Sequence, residues 1–401
     1  MKIVYLHQYF NTPDMVGGTR SYELARRLVA MGHEVEMVTS WRERDGRRDW
    51  FTSNEAGINV HWLPVPYGNE MSYRQRVAAF LRFAWGAARK AASLQADVVY
   101  ATSTPLTIAL PAVYAARRMR CPMVFEVRDL WPSVPIAMGA LGNPVLRGAA
   151  RWLERFAYRN ARRIVALSPG MADGVEAAGY PARDITIIPN SADLALFADD
   201  GKGEMRFRLA HPELGDRPVL LYAGTFGRVN GVDWLVRLAA HAKARQSPFV
   251  FVLIGEGSEK ESIVQLARDL GVLGDNCHIY QSQTKTDIVD AFHAAALVAS
   301  VTIDLPELEA NSANKFFDGL AAGRPVAINY GGWQADLING YDLGMVWPRD
   351  VAKAYEQLER WWAQAQHHQQ QRSNARKLAE RDFDRDHLAG RLEQVLLDAL
   401  A

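Results

Sequence analysis

Short apolar runs rich in β-branched residues alternate with helical patterns along this chain, and the whole series runs twice. In the first half the runs are 2–6 (KIVYL), 34–39 (EVEMVT), 97–101, 123–127 (MVFEV), 163–167 and 185–189. Between the first two, TRSYELARRLVAM (19–31) places Tyr22, Leu24, Ala25, Leu28 and Val29 near one stripe, a period of 3.6 rather than 2, and Gly32 suits the helix stop. The second half offers strands at 218–223, 249–254, 277–280, 297–301, 325–329 and 343–347, with helical patterns at 231–245, 258–270, 285–294, 314–322 and 350–368. Strand, helix, strand in repetition predicts parallel sheets covered on both faces. At 401 residues and 49% hydrophobic, the chain exceeds what one core holds, roughly 250–300 residues. Two doubly wound α/β domains facing across a cleft are therefore expected, at 1–195 and 203–384, around a polar, glycine-bearing linker in 191–207. Helix 385–401 is expected to pack back on the first domain.

Other functions are excluded more simply. A formal net charge of +1 argues against nucleic acid as a partner. Two distant cysteines, Cys121 and Cys277, make no disulfide framework and fit a reduced, cytoplasmic setting. MKIVYLHQYF has one lysine and an apolar run broken by His7 and Gln8, so it reads as a strand and not a signal peptide. The longest apolar stretch, 98–116, is cut by Pro105 and Pro111, and no membrane span is expected.

Ligands of such sheets sit beyond the carboxyl ends of the strands. Gly17, Gly18, Thr19 and Arg20 stand there, between strand 2–6 and its helix. They read either as a backbone cradle for a polar or anionic group or as a tight turn capped by Thr19 or Ser21. The stretch is not G-x-G-x-x-G, so no dinucleotide fingerprint is present. In the second half, Gly224 and Gly227 follow one strand, and Gly255 and Gly257 the next. With Arg228 they form either a wall for a diphosphate or ordinary connections. Lys315 falls in the first turn of helix 314–322, where it opposes the helix dipole. A bound anion would relieve that conflict; otherwise the lysine is solvated. QHHQQQ (366–371) reads as the polar surface of a long helix.

GGTRSYELARRLVAMGHEVEMVTS (17–40), IPNSADLALF (188–197), YAGTFGRVNG (222–231), IGEGSEK (254–260) and NKFFDGLAAGRPV (314–326) together resemble the large retaining glycosyltransferase family of GT-B fold often called family 4. YLHQYFNTP (5–13) and FEVRDLWPS (125–133) look like its bacterial surface-polysaccharide subgroup, whose members often transfer N-acetylated amino sugars such as N-acetyl-fucosamine. The resemblance implies an N-terminal domain that takes the acceptor and a C-terminal domain that holds a UDP-sugar. The family's two glutamates, with seven residues between them, align with Asp318, which would accept from ribose hydroxyls, and with Ala310, beside Glu309. The loop Ala310–Asn314, Asn311 included, would reach the sugar through backbone groups. The family's arginine and lysine after the first C-domain strand are here Thr225 and Asn230. Its histidine after strand 123–127 is here Arg128 and Asp129, so no catalytic histidine carries over.

The departing diphosphate needs fixed donors or a metal. The one Asp-x-Asp run, DFDRD (382–386), leads into a helix and reads as helix-start charge, so no essential metal and no cofactor are expected. Lys315, Arg228 and helix amino ends near Gly231 and Asn314 would stabilise the leaving group. Asp129 and His7 are the further catalytic candidates, and Arg128 joins Gly17–Arg20 on the acceptor side. Each has a plain structural alternative: a cap or arginine partner for Asp129, a bonded strand-end histidine for His7. Two basic, aromatic helices, 72–92 (Arg74, Arg76, Phe80, Leu81, Arg82, Phe83, Trp85, Arg89, Lys90) and 146–163, predict peripheral contact with an anionic membrane, fitting a lipid-linked acceptor. A UDP-N-acetylhexosamine epimerase of the same architecture and a non-catalytic nucleotide-sugar sensor are the competing readings.

Overall fold

A computed structural model describes residues 1–66, 71, 73–191 and 193–401, apart from the side chains of residues 73, 74 and 76. Arg74 and Arg76 of the basic stretch thus lie outside the described residues. The chain divides into two compact units, one of residues 1–12, 19–189 and 386–401, the other of 13–18 and 190–385.

The first unit carries β1 (Lys2–Leu6), β2 (Glu34–Trp41), β3 (Phe51–Glu55), β4 (Ile58–Pro64), β5 (Val98–Thr102), β6 (Met123–Val127), β7 (Arg163–Ala166) and β8 (Ile185–Ile187) in the order β3-β4-β2-β1-β5-β6-β7-β8. β1 pairs in parallel with β2 on one side and β5 on the other, so the strand order reverses at β1. One expectation fails here. The sheet is mixed, because β3 runs antiparallel to β4. The pair turns through Ala56 and Gly57, both at positive φ (52° and 86°), the backbone a two-residue hairpin demands. FTSNE alternates half-buried and exposed residues, as an edge strand should, and lacks the apolar run that marks its neighbours.

The second unit is wholly parallel: β9 (Val219–Ala223), β10 (Val250–Ile254), β11 (Cys277–Tyr280), β12 (Ala295–Ser300), β13 (Val326–Ile328) and β14 (Gly344–Val346), ordered β11-β10-β9-β12-β13-β14. Its middle strands are buried along their length, which is why they read as continuous apolar runs. Order reverses at β9, between β10 and β12. Two apolar clusters cover the sheet, one through Phe316, Phe317 and Phe383, the other through Leu235, Tyr355 and Trp361.

The helix Arg20–Ala30 ends with Gly32 at φ 90°. QHHQQQ lies on helix Ala365–Asp382, mostly exposed, with Gln371 turned inward to accept from Trp361 Nε1 at 2.7 Å. Helix Arg385–Leu400 belongs to the first unit from Asp386 onward, held by Arg27–Asp386 and His33–Glu393 pairs. Both cysteines are free. Among the described residues, no helix is long and apolar enough to cross a membrane.

The glycine turns of the second unit are close-packed. The backbone after β9 bonds to the backbone after β10 through Phe226 N–H to Glu256 O (2.8 Å) and Glu259 N–H to Phe226 O (2.9 Å). A Cβ on Gly255 would lie 1.9 Å from Gly224 O, and one on Gly257 2.4 Å from Phe226 O. Gly255→Ala is therefore expected to destabilise the protein by about 2–4 kcal/mol. Gly340→Ala, in helix Trp333–Tyr341 with open space around the new methyl, should stabilise it by about 0.5–1 kcal/mol. Chemical denaturation of the two variants checks both signs.

Candidate active site

Both points of strand reversal carry polar residues at the carboxyl edge, as doubly wound sheets lead one to expect. In the second unit the central group is Lys315, second residue of helix Asn314–Ala321. It is not the solvated lysine of the simpler expectation. Gly224, just after β9, makes room for it: a Cβ there would meet Lys315 Cε at 2.8 Å and Nζ at 3.4 Å. Nζ lies 4.9 Å from the Tyr222 ring centroid, a cation–π contact. Burial pulls the ammonium down to about 8, with Asp318 opposing that fall. Among the described residues, no hydrogen bond or salt bridge holds its Nζ. A cation so placed is short of one partner, an anion.

Asp318 lies one turn on, buried. Lys285 Nζ donates to its Oδ2, while Oδ1 has no hydrogen-bond partner among the described residues. The sequence analysis missed Lys285, which sits in a polar loop with no distinguishing pattern. The loop before the helix is fixed from below. Asn190 N–H donates to Ser312 Oγ at 3.1 Å and Asn190 Nδ2 to Ser312 O at 2.5 Å, while Trp333 Nε1 donates to Asn311 O at 2.8 Å. Asn314 opens the helix and Glu309 is exposed against Gly331 and Gly332. Gly18 groups with this unit, and a Cβ on it would lie 3.3 Å from Asn314 Nδ2. Gly17 is at φ 133° and groups with it too.

Other residues go elsewhere. Thr225 is exposed, and its carbonyl accepts from Tyr222 Oη at 2.8 Å. Arg228 is exposed in a short turn and lines a cavity of about 310 Å³ with Arg237, Glu259 and Ser262, a group that does not include Lys315. Gly255 and Gly257 serve the backbone approach described above.

In the first unit, Arg20 has a different task from acceptor binding. It is buried, with Nε and Nη2 donating to Glu126 at 3.0 and 2.8 Å, Nη1 to Pro189 O at 2.6 Å and Nη2 to Ile188 O at 2.9 Å. Tyr100 and Thr102 complete the carboxylate's shell. Burial pushes Glu126 up, but Arg20 and Arg128 outweigh it and hold the group below its ordinary range. Removing one member of such a pair strands the other's charge, a loss of about 3–5 kcal/mol. Thr19 precedes the helix without capping it through its side chain.

His7 follows β1 and is buried. Burial, then Arg128 and Arg42, push its pKa well below the ordinary value, so it is neutral at pH 7. Arg128 Nη1 lies 3.3 Å from His7 Nε2. Asp129 is exposed and accepts from Thr104 Oγ1 at 2.8 Å, so it is neither a cap nor a bonded partner of Arg128. DFDRD falls where two helices meet, with Arg381–Asp382 and Arg27–Asp386 ion pairs, in keeping with ordinary helix-end charge.

Comparison with known proteins now adds a decisive point. Residues 17–191 match the glycosyl transferase 4-like domain and residues 204–378 the glycosyl transferases group 1 domain. The chain is 30% identical over 350 residues to D-inositol 3-phosphate glycosyltransferase 1 of Catenulispora acidiphila, covering 81% of this chain and 79% of that protein. The chain belongs to the group 1 glycosyltransferases. Among solved structures it is similar to Anabaena HepE in complex with UDP and glucose (TM-score 0.71, 18% identity, 99% of this chain and 100% of that one). It is likewise similar to WaaG, a glycosyltransferase involved in lipopolysaccharide biosynthesis (TM-score 0.71, 18% identity, 98% and 99%). These likenesses establish two Rossmann-like units of GT-B type.

Lys315→Met is expected to cut turnover by about 10²–10³, the usual effect of losing one leaving-group donor, without lowering stability. The sign follows from burial. The folded pKa of about 8 lies below the ordinary 10.5, so the ammonium weakens the native state below pH 8. That penalty is relieved as pH rises from 8 to 10.5, where the unfolded chain binds more protons. The variant's melting temperature should equal or exceed wild type at pH 7, and its advantage should shrink across that interval.

Proposed function

We propose that this glycosyltransferase moves a sugar from a UDP-sugar, with retention of configuration, to a lipid-linked saccharide in bacterial surface-polysaccharide synthesis, and that the sugar is an N-acetylated amino sugar. Lys315 carries the reading. A desolvated ammonium at a helix amino end, without an ionic partner among the described residues, is matched to the charge that builds on a leaving diphosphate. The nucleotide would lie on the second unit, its phosphates against Gly224 and Lys315 and its ribose toward Asp318. The acceptor would belong to the first unit, with His7, Arg128 and Asp129. Retention would follow from attack on the face the diphosphate leaves, with the departing phosphate taking the acceptor's proton. Fixed donors do the stabilising here, and no divalent ion is required. HepE, with its bound UDP and glucose, and WaaG, with its lipopolysaccharide role, support the donor and the pathway class.

The acceptor side has its own support. On helices Tyr73–Ser93 and Pro144–Arg159, Trp85 (66% exposed), Trp152 (61%) and Val145 (76%) face outward among Arg82, Arg89, Arg151 and Arg155, and Arg89 lies 4.5 Å over the Trp85 ring. Phe83, expected outward, is core, and Phe80 is half-buried, so the apolar surface is narrower than the sequence suggests. Aromatic side chains among arginines suit the headgroup level of an anionic leaflet, and the protein would work at the inner face of the cell membrane.

One assay tests the whole reading. The protein is incubated with a panel of UDP-sugars and a prenyl-diphosphate-linked sugar in anionic vesicles, with and without EDTA. Transfer with retained configuration, insensitive to EDTA, by protein that floats with the vesicles is the expected result. Epimerised UDP-sugar alone would make it an epimerase, and no turnover on any donor a sensor.

A further inference from the structure

The carboxyl edge of the first sheet collects hydrogen-bond donors that nothing accepts from. Arginine only donates, so the Arg128 Nη1 contact makes His7 Nε2 the acceptor and puts the ring proton on Nδ1. Nδ1 is buried and has no partner among the described residues. The next residue, Gln8, is 1% exposed, and neither end of its carboxamide is bonded among the described residues. Its backbone cannot swing away, because Gln8 O accepts from Ser40 Oγ at 2.6 Å and from Ser40 N–H at 3.3 Å. Buried polar atoms left so are rare and call for an occupant. Two guanidinium groups bear on His7. Arg128 follows β6, and Arg42 follows β2, donates to Asn11 Oδ1 and lies 5.9 Å from the Tyr9 ring centroid. Both remain partly exposed. Asp129 is engaged by Thr104, and Glu43 is the acid that bears on Arg42.

We infer that Arg42 and Arg128, with the His7 Nδ1–H, form an oxyanion site for a phosphate group carried by the acceptor. The inference rests on the proposed function for the word acceptor, but the site is defined by the first unit's own side chains. A phosphate offers lone pairs in several directions, and planar guanidinium groups bind it through paired N–H bonds. Two cations suit a dianionic or diphosphate group better than a neutral sugar. A neutral, N–H-bearing histidine suits it too, since it donates without needing a proton from solvent. Arg42 thereby gains a role that the sequence analysis did not assign.

The test titrates inorganic pyrophosphate into the full-length protein saturated with UDP, by calorimetry. One further pyrophosphate site is expected, weakened about tenfold or more by Arg42→Gln and by Arg128→Gln, with UDP affinity unchanged. Arg42→Lys, which keeps charge and stem, should lose part of that affinity, and thermal melts separate binding loss from misfolding. In transfer assays, KM for a diphosphate-linked acceptor should rise in both glutamine variants while KM for the donor holds. Absence of the second site, or glutamine variants that bind as wild type, overturns the proposal. A parallel fall in UDP affinity overturns it as well, since it assigns the arginines to the donor's diphosphate. Binding of pyrophosphate that is equal in all variants marks an adventitious ion only. Failure of UDP to bind at all would sink the proposed function instead, and the same titration of the Lys315→Met protein would still read the first unit's site.

Discussion

Parallel strands cannot be joined at their ends, so every connection must leave the sheet at the carboxyl edge and return over a face. In both units the chain starts in the middle of the sheet and winds first to one side, then to the other. At β1 and at β9 the neighbouring connections therefore diverge and leave backbone uncovered. The proposed function rests on what fills those two places. In the second unit the answer is a lysine stem in a glycine-lined gap. In the first it is a neutral histidine between two arginines.

The second unit's arrangement is a stored conflict. Lys315 sits at the positive end of a helix, over an aromatic ring, with its charge partly desolvated and, among the described residues, no ion pair to compensate. The helix end and the desolvation oppose the charged form, and only the Tyr222 ring and Asp318 favour it. Asp318 itself is half-spent on Lys285. A diphosphate arriving there would meet donors already fixed, so little reorganisation is left for the moment of bond breaking. The first unit does the opposite with Arg20 and Glu126. Their pair is complete and buried, and it ties the helix Arg20–Ala30 to β6 and to the segment after β8. Most of their donors and acceptors are already engaged within the unit.

The fold was legible because fully buried parallel strands are written as apolar runs, and twelve of the fourteen strands among the described residues were found within a residue or two. The β3–β4 hairpin escaped because an edge strand alternates and its turn is Ala-Gly rather than a stronger signal. Lys315 and Asp318 were legible through motif position, but not the burial that makes Lys315 interesting, which depends on Gly224 ninety residues away. Arg20 was misjudged for the same reason. Its partners Glu126, Ile188 and Pro189 lie far off in the chain, and an arginine beside glycines looks like a ligand group until they are seen. Gln8 gave no sign at all, since an unbonded carboxamide is a property of packing and not of spacing.

The central claim is that Lys315 waits, under-compensated, for a diphosphate. Its side-chain nitrogen can be titrated by NMR in the full-length protein, with and without UDP. The account predicts a pKa near 8 in the free protein, moving past 10.5 when UDP binds, with a matching uptake of protons. A Lys315 that titrates normally in the free protein, or whose pKa ignores bound UDP, would contradict it.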